Sequence, residues 1–274
     1  MPSPTIVKRL VVFDFDWTLI EADSDIWVIQ NFGEEIAKEQ EELSGKVQWT
    51  DLQDMLLQKL HERGVTRLDI ERSLQEIPFT PEMIAALRLM KSQGAELCII
   101  SDANTVYIET ILKAHGLDHL FTKIITNPAH FDDQGRLHVT RYHGLDKEPH
   151  GCSLPCHPNL CKGRELQMLI DSQAWDQVIY MGDSTNDFCP STRLLSSSSL
   201  LDDERRNIIL ARANLLLEKE IKEHPEMIKA KVMYWESPTD VLSIIQSVFA
   251  IPSAKPLAFV KKTVEEPSVP KSIF

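Results

Sequence analysis

The segment Leu10-Val11-Val12-Phe13-Asp14-Phe15-Asp16-Trp17-Thr18 joins an apolar run to two carboxylates and a hydroxyl. The apolar run predicts a buried strand. Ligands of an open α/β sheet collect at the carboxyl ends of its strands, and residues two apart in an extended chain point the same way. Asp14 and Asp16 are therefore expected to project together into a ligand crevice. Because neighbouring carboxylates repel each other, the pair favours a divalent cation such as Mg²⁺; the alternative is a solvated turn.

Composition and charge exclude several classes of protein. The chain has 274 residues, 43% of them hydrophobic, which is enough for one large domain or one domain with an inserted subdomain. Its net charge of −12 offers no basic surface to nucleic acid or to an anionic membrane. No apolar run approaches the ~18–20 residues of a membrane span, and the N-terminus lacks a signal-peptide pattern. We therefore expect a cytoplasmic protein without nucleic-acid or membrane partners; no feature predicts its oligomeric state.

The order of apolar patterns predicts an α/β fold with a Rossmann-like parallel sheet. Residues 20–78 show only helical patterns, which indicate an all-helical insert after the first strand. The rest of the chain alternates helix and strand, as in parallel sheets covered on both faces. The later strands are expected at residues 96–100, 123–126, 178–181, 207–211 and 231–235. We expect a core of residues 1–19 and 79–250, a helical cap of residues 20–78, and a disordered tail of residues 251–274.

Polar side chains follow three of the predicted strands. They are Asp14 and Asp16, then Ser101, then Asp183 and Asp187, with Lys162 at the start of the helix before the last pair. Because parallel strands bring their carboxyl ends to one edge, these groups are expected to meet there. Metal-binding carboxylates, a hydroxyl donor and a cation are the groups that phosphoryl transfer requires.

Four of these signals match a known superfamily in order and spacing. The stretch Asp14–Thr18, Ser101, Lys162 and Gly182–Asp187 resemble the four motifs of haloacid dehalogenase (HAD) superfamily phosphatases. Finer features resemble the phosphoethanolamine/phosphocholine phosphatases and their pyridoxal-phosphate and plant thiamine-monophosphate or pyrophosphate relatives. These features are Asp23-Ser24-Asp25, Ser101-Asp102-Ala103-Asn104, His150-Gly151-Cys152, Asn159-Leu160-Cys161-Lys162-Gly163 and Asp187-Phe188-Cys189-Pro190. The resemblance spans roughly residues 8–245.

The resemblance implies a role for each motif residue. Asp14 would be the nucleophile that forms an aspartyl-phosphate, and Asp16 the general acid and base. The implied Mg²⁺ ligands are Asp14, the backbone carbonyl of Asp16, and Asp183, with Asp187 adjacent and oriented by Lys162. Ser101 and Lys162 would hold the phosphoryl group.

The activity implied is Mg²⁺-dependent hydrolysis of a small phosphorylated metabolite, such as phosphoethanolamine, phosphocholine or a vitamin phosphate. A pyrophosphatase or phosphotransferase with the same intermediate is one alternative, and a catalytically silent binding module is another. Asp25 and Asp102 match positions that could face the leaving group, where two carboxylates would suit a cationic head group. The alternative for each is a helix N-cap.

One residue departs from the family pattern. Trp17 stands where such proteins usually carry glycine, and a tryptophan adopts positive φ only at a cost. We expect an ordinary negative φ at Trp17, with the indole packed under the helical insert. The alternative is a reshaped pocket mouth.

The five cysteines do not form a disulfide pattern. Cys152, Cys156 and Cys161, with two histidines among them, could form a zinc site. Their irregular spacing favours ordinary buried thiols instead. Cys98 and Cys189 are expected to pack in the core.

Overall fold

The computed structural model describes residues 7–147, 150–154, 156–195 and 206–250. In these ranges the strands are β1 (Arg9–Phe13), β2 (Glu96–Asn104), β3 (Phe121–Asn127), β4 (Ala129–Phe131), β5 (Leu137–Val139), β6 (Gln177–Gly182), β7 (Ile208–Arg212) and β8 (Lys231–Trp235). The helices are α1 (Ser24–Phe32), α2 (Glu34–Leu43), α3 (Trp49–Glu62), α4 (Arg67–Gln75), α5 (Pro81–Ser92), α6 (Thr105–Ala114), α7 (Lys162–Asp171), α8 (Phe188–Ser191), α9 (Leu216–Glu223) and α10 (Pro238–Val248).

Six of the strands form one parallel sheet in the order β3-β2-β1-β6-β7-β8. The central strand β1 is buried on both faces, because Val11 and Phe13 pack into one apolar cluster while Leu10 and Val12 pack into another. The predicted α/β class with a Rossmann-like parallel sheet is confirmed. From β1 the chain builds the sheet outward in one direction through β2 and β3, and in the other through β6, β7 and β8. The strand order therefore reverses between β1 and β6, where ligands bind in open α/β sheets.

The regular elements between β1 and α5 are all helices. Residues 20–78 are all described and contain α1 to α4, with one isolated bridge between Ser44 and Val47. Thr80 caps α5 by accepting a hydrogen bond from the Met83 amide (3.3 Å), and Pro81 takes the first helical position. The division into core and cap domains remains a prediction.

A hairpin is formed by β4 and β5, with Gly135 at a φ of +84°. It packs on α3, where Asp54 accepts hydrogen bonds from the Val139 amide (3.0 Å) and the Arg136 guanidinium (3.0 Å). A helix of the insert is thus tied directly to a segment that follows β3.

Strand β2 is longer than predicted, because residues 101–104 continue it beyond Ile100. The side chain of Asn127 supports this extension, since its Nδ2 donates to the carbonyl oxygens of Asp102 (2.5 Å) and Ala103 (2.9 Å). The predicted tail of residues 251–274 lies outside the described residues. Within the described part of the chain, no helix has the length and apolarity needed to cross a bilayer.

Candidate active site

Two of the predicted carboxylates lie side by side at the point where the strand order reverses. Asp14 directly follows β1 and Asp183 directly follows β6, its neighbour in the sheet. The Asp14 amide donates to the carbonyl of Met181 (2.9 Å), and the Thr18 hydroxyl donates to Asp183 Oδ1 (3.2 Å). These contacts fix the loop after β1 against the end of β6.

Lys162 lies between two carboxylates beneath this edge. Its side chain enters from the first turn of α7, and the residue is only 2% exposed. Its Nζ is 2.8 Å from Asp14 Oδ2 and 2.9 Å from Asp187 Oδ1. Burial by itself lowers the pKa of Lys162, but the two carboxylates outweigh burial and raise that pKa above its usual value. The lysine is therefore a permanent cation in the acidic site.

Asp187 is fully occupied by donors. Its Oδ1 accepts from Lys162 (2.9 Å) and from the Tyr180 hydroxyl (2.6 Å). Its Oδ2 accepts from the amides of Asp183 (3.0 Å) and Ser184 (3.0 Å). A carboxylate oxygen accepts about two hydrogen bonds, so Asp187 has no free lone pair for a metal. This geometry favours a role in positioning Lys162 and the loop after β6.

A glycine makes this arrangement possible. A Cβ at Gly182 would lie 2.5 Å from Asp187 Cγ, which is shorter than any contact a real Cβ makes.

The role of Tyr180 was missed in the sequence, because a tyrosine inside an apolar strand has the pattern of a core residue. Its hydrogen bond to Asp187 depends on how the loop after β6 folds back on the strand, which no sequence pattern indicates.

The residues at this edge fit a divalent metal ion. Oxygens of Asp14 and Asp183 lie within 4.8 Å of each other and of Asp187, whose own oxygens are taken up by hydrogen-bond donors. One lysine opposes the three carboxylates. Burial and the charge of Asp187 raise the pKa of Asp183 to about 7. Burial and Asp187 also raise the pKa of Asp14 well above its usual value. A hard cation beside Asp14 and Asp183 would relieve this repulsion, and oxygen donors are the ligands that Mg²⁺ prefers.

Asp16 has a different environment from Asp14. Its carboxylate accepts hydrogen bonds from the amide (3.0 Å) and the hydroxyl (3.2 Å) of Ser24 at the start of α1. Burial raises its pKa well above the usual value, and the charges of Asp23 and Asp25 raise it further. A carboxyl group that keeps its proton toward neutral pH can serve as a general acid. Phe15, between the two aspartates, is buried.

Ser101 and Asp102, at the end of β2, differ in their access to the cavity. Asp102 lines the cavity, and its Oδ2 accepts from the Asn186 amide (3.0 Å). Ser101 is fully buried, and its hydroxyl accepts from the Ala103 amide (3.2 Å). Ser101 is not part of the cavity lining.

Asp25 is not a helix cap, and neither is Asp102. Asp23 caps α1 by accepting from the Ile26 amide (2.9 Å), and Asn104 caps α6 by accepting from the Tyr107 amide (3.0 Å). The N-cap alternative is therefore wrong for both aspartates. Asp25 instead lies in the first turn of α1, where it is buried and accepts a hydrogen bond from Trp49 Nε1 (2.7 Å). No sequence signal identified Trp49 as its partner.

A cavity of about 710 Å³ opens over these residues. Its walls come from the loop after β1, the connection 44–50 between α2 and α3, the segment that contains Leu154 and residues 156–160, and the loop after β6. Beyond the motif residues, the acidic side chains that line it are Asp23, Asp25, Asp102 and Glu220. Its lysines are Lys46 and Lys162. The cavity is therefore strongly acidic, with its buried cation at the base.

The expectation for Trp17 is wrong. Its φ is +53°, in the left-handed region, and the residue is 43% exposed rather than packed under the insert. The turn requires this conformation, because the Trp17 amide donates to the carbonyl of Ala22 (3.0 Å) while its own carbonyl accepts from Arg212 Nη1 (2.5 Å). The Arg212 guanidinium also lies 5.8 Å from the centre of the indole ring. Trp17 lines the cavity, in agreement with the alternative of a reshaped pocket mouth.

Comparison with known proteins agrees with the fold and identifies a phosphatase of the HAD type. The chain belongs to the family described as Putative Phosphatase, whose model matches residues 9–249. The chain is also similar to solved phosphatase structures: phosphoserine phosphatase from T. onnurineus superposes with a TM-score of 0.53 at 18% identity, over 89% of this chain and 97% of that one. The expected fold and enzyme class are confirmed.

Three relatives show how the family varies. The chain is 37% identical to a thiamine phosphate phosphatase-like protein of Arabidopsis thaliana, over 85% of this chain and 91% of the relative. It is 35% identical to inorganic pyrophosphatase 2 of Arabidopsis thaliana, over 87% and 83% of the two chains. It is 32% identical to pyridoxal phosphate phosphatase PHOSPHO2 of Homo sapiens, over 88% and 98%.

The conformation of Trp17 predicts an unusual order of stability among its variants. Trp17→Gly and Trp17→Ala both remove the indole, but only the alanine variant keeps a Cβ in the left-handed region. We expect the free energy of unfolding in urea to be about 1 kcal/mol larger for Trp17→Gly than for Trp17→Ala. An alanine variant as stable as the glycine variant would show that the turn does not hold positive φ.

Proposed function

We propose that the protein is a Mg²⁺-dependent phosphatase that hydrolyses a small-molecule phosphomonoester through a phosphorylated Asp14. The observation that carries this proposal is the buried contact between Asp14 Oδ2 and Lys162 Nζ (2.8 Å) at the base of the cavity. The lysine favours the ionised, nucleophilic form of Asp14 against the effect of burial. It also offers positive charge where a transferring phosphoryl group would collect negative charge.

In the first step, a carboxylate oxygen of Asp14 attacks phosphorus in line with the ester oxygen. A bond forms between that oxygen and phosphorus, the ester bond breaks, and Asp16 gives its proton to the leaving alcohol. Lys162 neutralises charge on the phosphoryl oxygens. Ser101 lies beneath the cavity and would share this role only if the phosphoryl group reached below the lining. When bound, Mg²⁺ would lie against Asp14, Asp183 and the backbone carbonyl of Asp16 and would offset the charge of the phosphoryl group.

In the second step, Asp16 takes a proton from water, and the water oxygen attacks phosphorus. The bond to Asp14 breaks, inorganic phosphate leaves, and Asp16 is again protonated. The contrast between Asp14 and Asp16 supports this division of roles. Asp14 is paired with a lysine, whereas the charged neighbours of Asp16 are acidic and favour its protonated form.

The acidic cavity favours a substrate with a cationic leaving group. Asp25 is buried, and its pKa is raised well above the usual value by burial and by Asp23. An ammonium or heteroaromatic cation near Asp25 and Asp102 would offset this cost, and the Trp49 ring lies beside Asp25. Phosphoethanolamine, phosphocholine and thiamine monophosphate meet these requirements. The name of the Arabidopsis thaliana relative at 37% identity agrees with a thiamine phosphate.

Pyrophosphate is the second candidate, because a relative at 35% identity is named an inorganic pyrophosphatase. The acidic lining of the cavity favours pyrophosphate less than it favours an ester with a cationic leaving group. Pyrophosphate carries negative charge at both ends. Away from Lys162 the described lining offers Lys46 as its one other lysine, against the acidic side chains of Asp23, Asp25, Asp102 and Glu220.

Replacing the nucleophile tests the reaction. We expect wild-type protein to release phosphate from at least one ester only when Mg²⁺ is present, and Asp14→Asn to lower kcat by at least about a thousandfold. The assay uses phosphoethanolamine, phosphocholine, pyridoxal phosphate, thiamine monophosphate, pyrophosphate and an aryl phosphate. Circular dichroism checks that the variant is folded. Activity that survives in Asp14→Asn would exclude Asp14 as nucleophile, and a folded wild type that turns over nothing would favour the silent module.

Replacing the buried carboxylate tests the substrate class. We expect Asp25→Asn to lower kcat/KM for thiamine monophosphate or phosphoethanolamine by about tenfold or more, because a charge-assisted contact of about 1.5–3 kcal/mol is lost. Turnover of the uncharged aryl phosphate serves as the internal control and should change less than about threefold. Equal losses on both substrates would mean that Asp25 does not recognise a cation. Asparagine keeps an oxygen that can accept from Trp49, so the local packing is retained.

A further inference from the structure

Four cysteine sulfurs converge beside the active site. Neighbouring Sγ atoms are separated by 3.6 Å (Cys152 to Cys189), 3.6 Å (Cys156 to Cys152), 3.8 Å (Cys161 to Cys156) and 3.9 Å (Cys161 to Cys189). All four lie within 4.8 Å of one another. Cys161 and Cys189 are buried, and the other two are half-buried.

We infer that these four cysteines bind a structural zinc ion. Zinc binds thiolate sulfur at about 2.3 Å, so a regular tetrahedron places its sulfurs about 3.8 Å apart. The four neighbouring distances fall on both sides of that value. A disulfide requires sulfurs at about 2.05 Å, and all four cysteines are free. Four protein ligands leave no position for water or substrate, which is typical of structural zinc sites rather than catalytic ones.

The surroundings of the cluster favour thiolates. The Arg193 Nη2 lies 3.7 Å from Cys152 Sγ, and the Arg193 Nε is buried without a nitrogen or oxygen acceptor. Zinc with four thiolates carries a net charge of −2, which a guanidinium beside the sulfurs would offset. Gly163 provides the space, because a Cβ there would lie 2.4 Å from Cys189 Sγ.

The sequence could not reveal the complete ligand set. Cys189 is 28 residues from Cys161 and has the pattern of a core cysteine. Only the packing of α7 against α8 brings it to the other three. The structure thus replaces a sequence pattern of three cysteines and two histidines with four sulfurs that lie within 4.8 Å of one another.

The position of the cysteine cluster indicates which segments the zinc would hold together. Cys161 immediately precedes Lys162, and Cys189 follows Asp187 by two residues, so the site joins the two backbones that carry a buried ion pair of 2.9 Å. Cys152 and Cys156 attach the segment that forms one wall of the cavity. The zinc would therefore fix the phosphate-binding lysine and the substrate wall in a single frame. This inference does not depend on which ester is hydrolysed.

The test is the metal content of the full-length protein purified without chelators after expression in zinc-supplemented medium. We expect about one zinc per chain by elemental analysis, and X-ray absorption at the zinc edge should show four sulfur ligands at about 2.3 Å. Cys161→Ser and Cys189→Ser should each lower the zinc content at least about tenfold. The matched control is Cys98→Ser, which removes a buried free cysteine outside the cluster and should keep its zinc.

Several results would overturn the inference. They are wild-type protein without stoichiometric zinc, zinc bound through nitrogen or oxygen, and a disulfide between two of the four cysteines detected by mass spectrometry without reduction. The absorption measurement uses wild-type protein, so the inference stays testable if a serine variant fails to fold. A measurement of thermal stability distinguishes the proposed zinc from Mg²⁺. Stripping zinc with a chelator should lower the melting temperature, and zinc but not Mg²⁺ should restore it.

Discussion

The structure of the site depends on one buried cation, Lys162, held between Asp14 and Asp187. Leaving a buried charge without its partner costs about 3–5 kcal/mol, so each of these three residues constrains the position of the other two. Asp187 is also held by hydrogen bonds from the Tyr180 hydroxyl and from the amides of Asp183 and Ser184 after β6. Asp14 is held by its direct connection to β1. The strand ends, the start of α7 and the loop after β6 therefore hold one another in place, and their geometry is fixed before a substrate arrives.

The same cluster is electrostatically incomplete. Three carboxylates against one lysine leave an excess of negative charge. Burial and this excess together raise the pKa of Asp183 to about 7 and that of Asp14 above its usual value. Such a site gains stability from a divalent cation and from a ligand that brings positive charge to its outer wall. The proposed metal binding and the proposed preference for a cationic leaving group would then have a common origin. The acidic lining of the cavity, extended by Asp25 and Asp102, supports both proposals.

The sequence predicted the order of the elements because apolar strands, proline-started helices and helix-ending glycines are local signals. It also placed Asp14, Asp16, Lys162 and Asp183 next to the ends of these elements, where the structure has them, whereas their roles stay predictions. It could not predict contacts between distant segments. Tyr180 and Trp49 have ordinary core patterns until their donors meet Asp187 and Asp25, and Cys189 joins three cysteines only through the packing of two helices. The left-handed φ of Trp17 is fixed by hydrogen bonds to Ala22 and Arg212, which no local propensity encodes.

The central claim is that Asp14 carries the phosphoryl group during turnover. The most direct measurement is to quench the wild-type enzyme with acid during steady-state hydrolysis of its best substrate and to map phosphorylation by mass spectrometry. The account predicts a Mg²⁺-dependent phosphoryl group on the peptide that contains Asp14, which forms at a rate no slower than turnover and disappears when substrate is exhausted. Rapid turnover with no covalent phosphoryl-enzyme at any quench time, or a phosphoryl group on another residue, would contradict it.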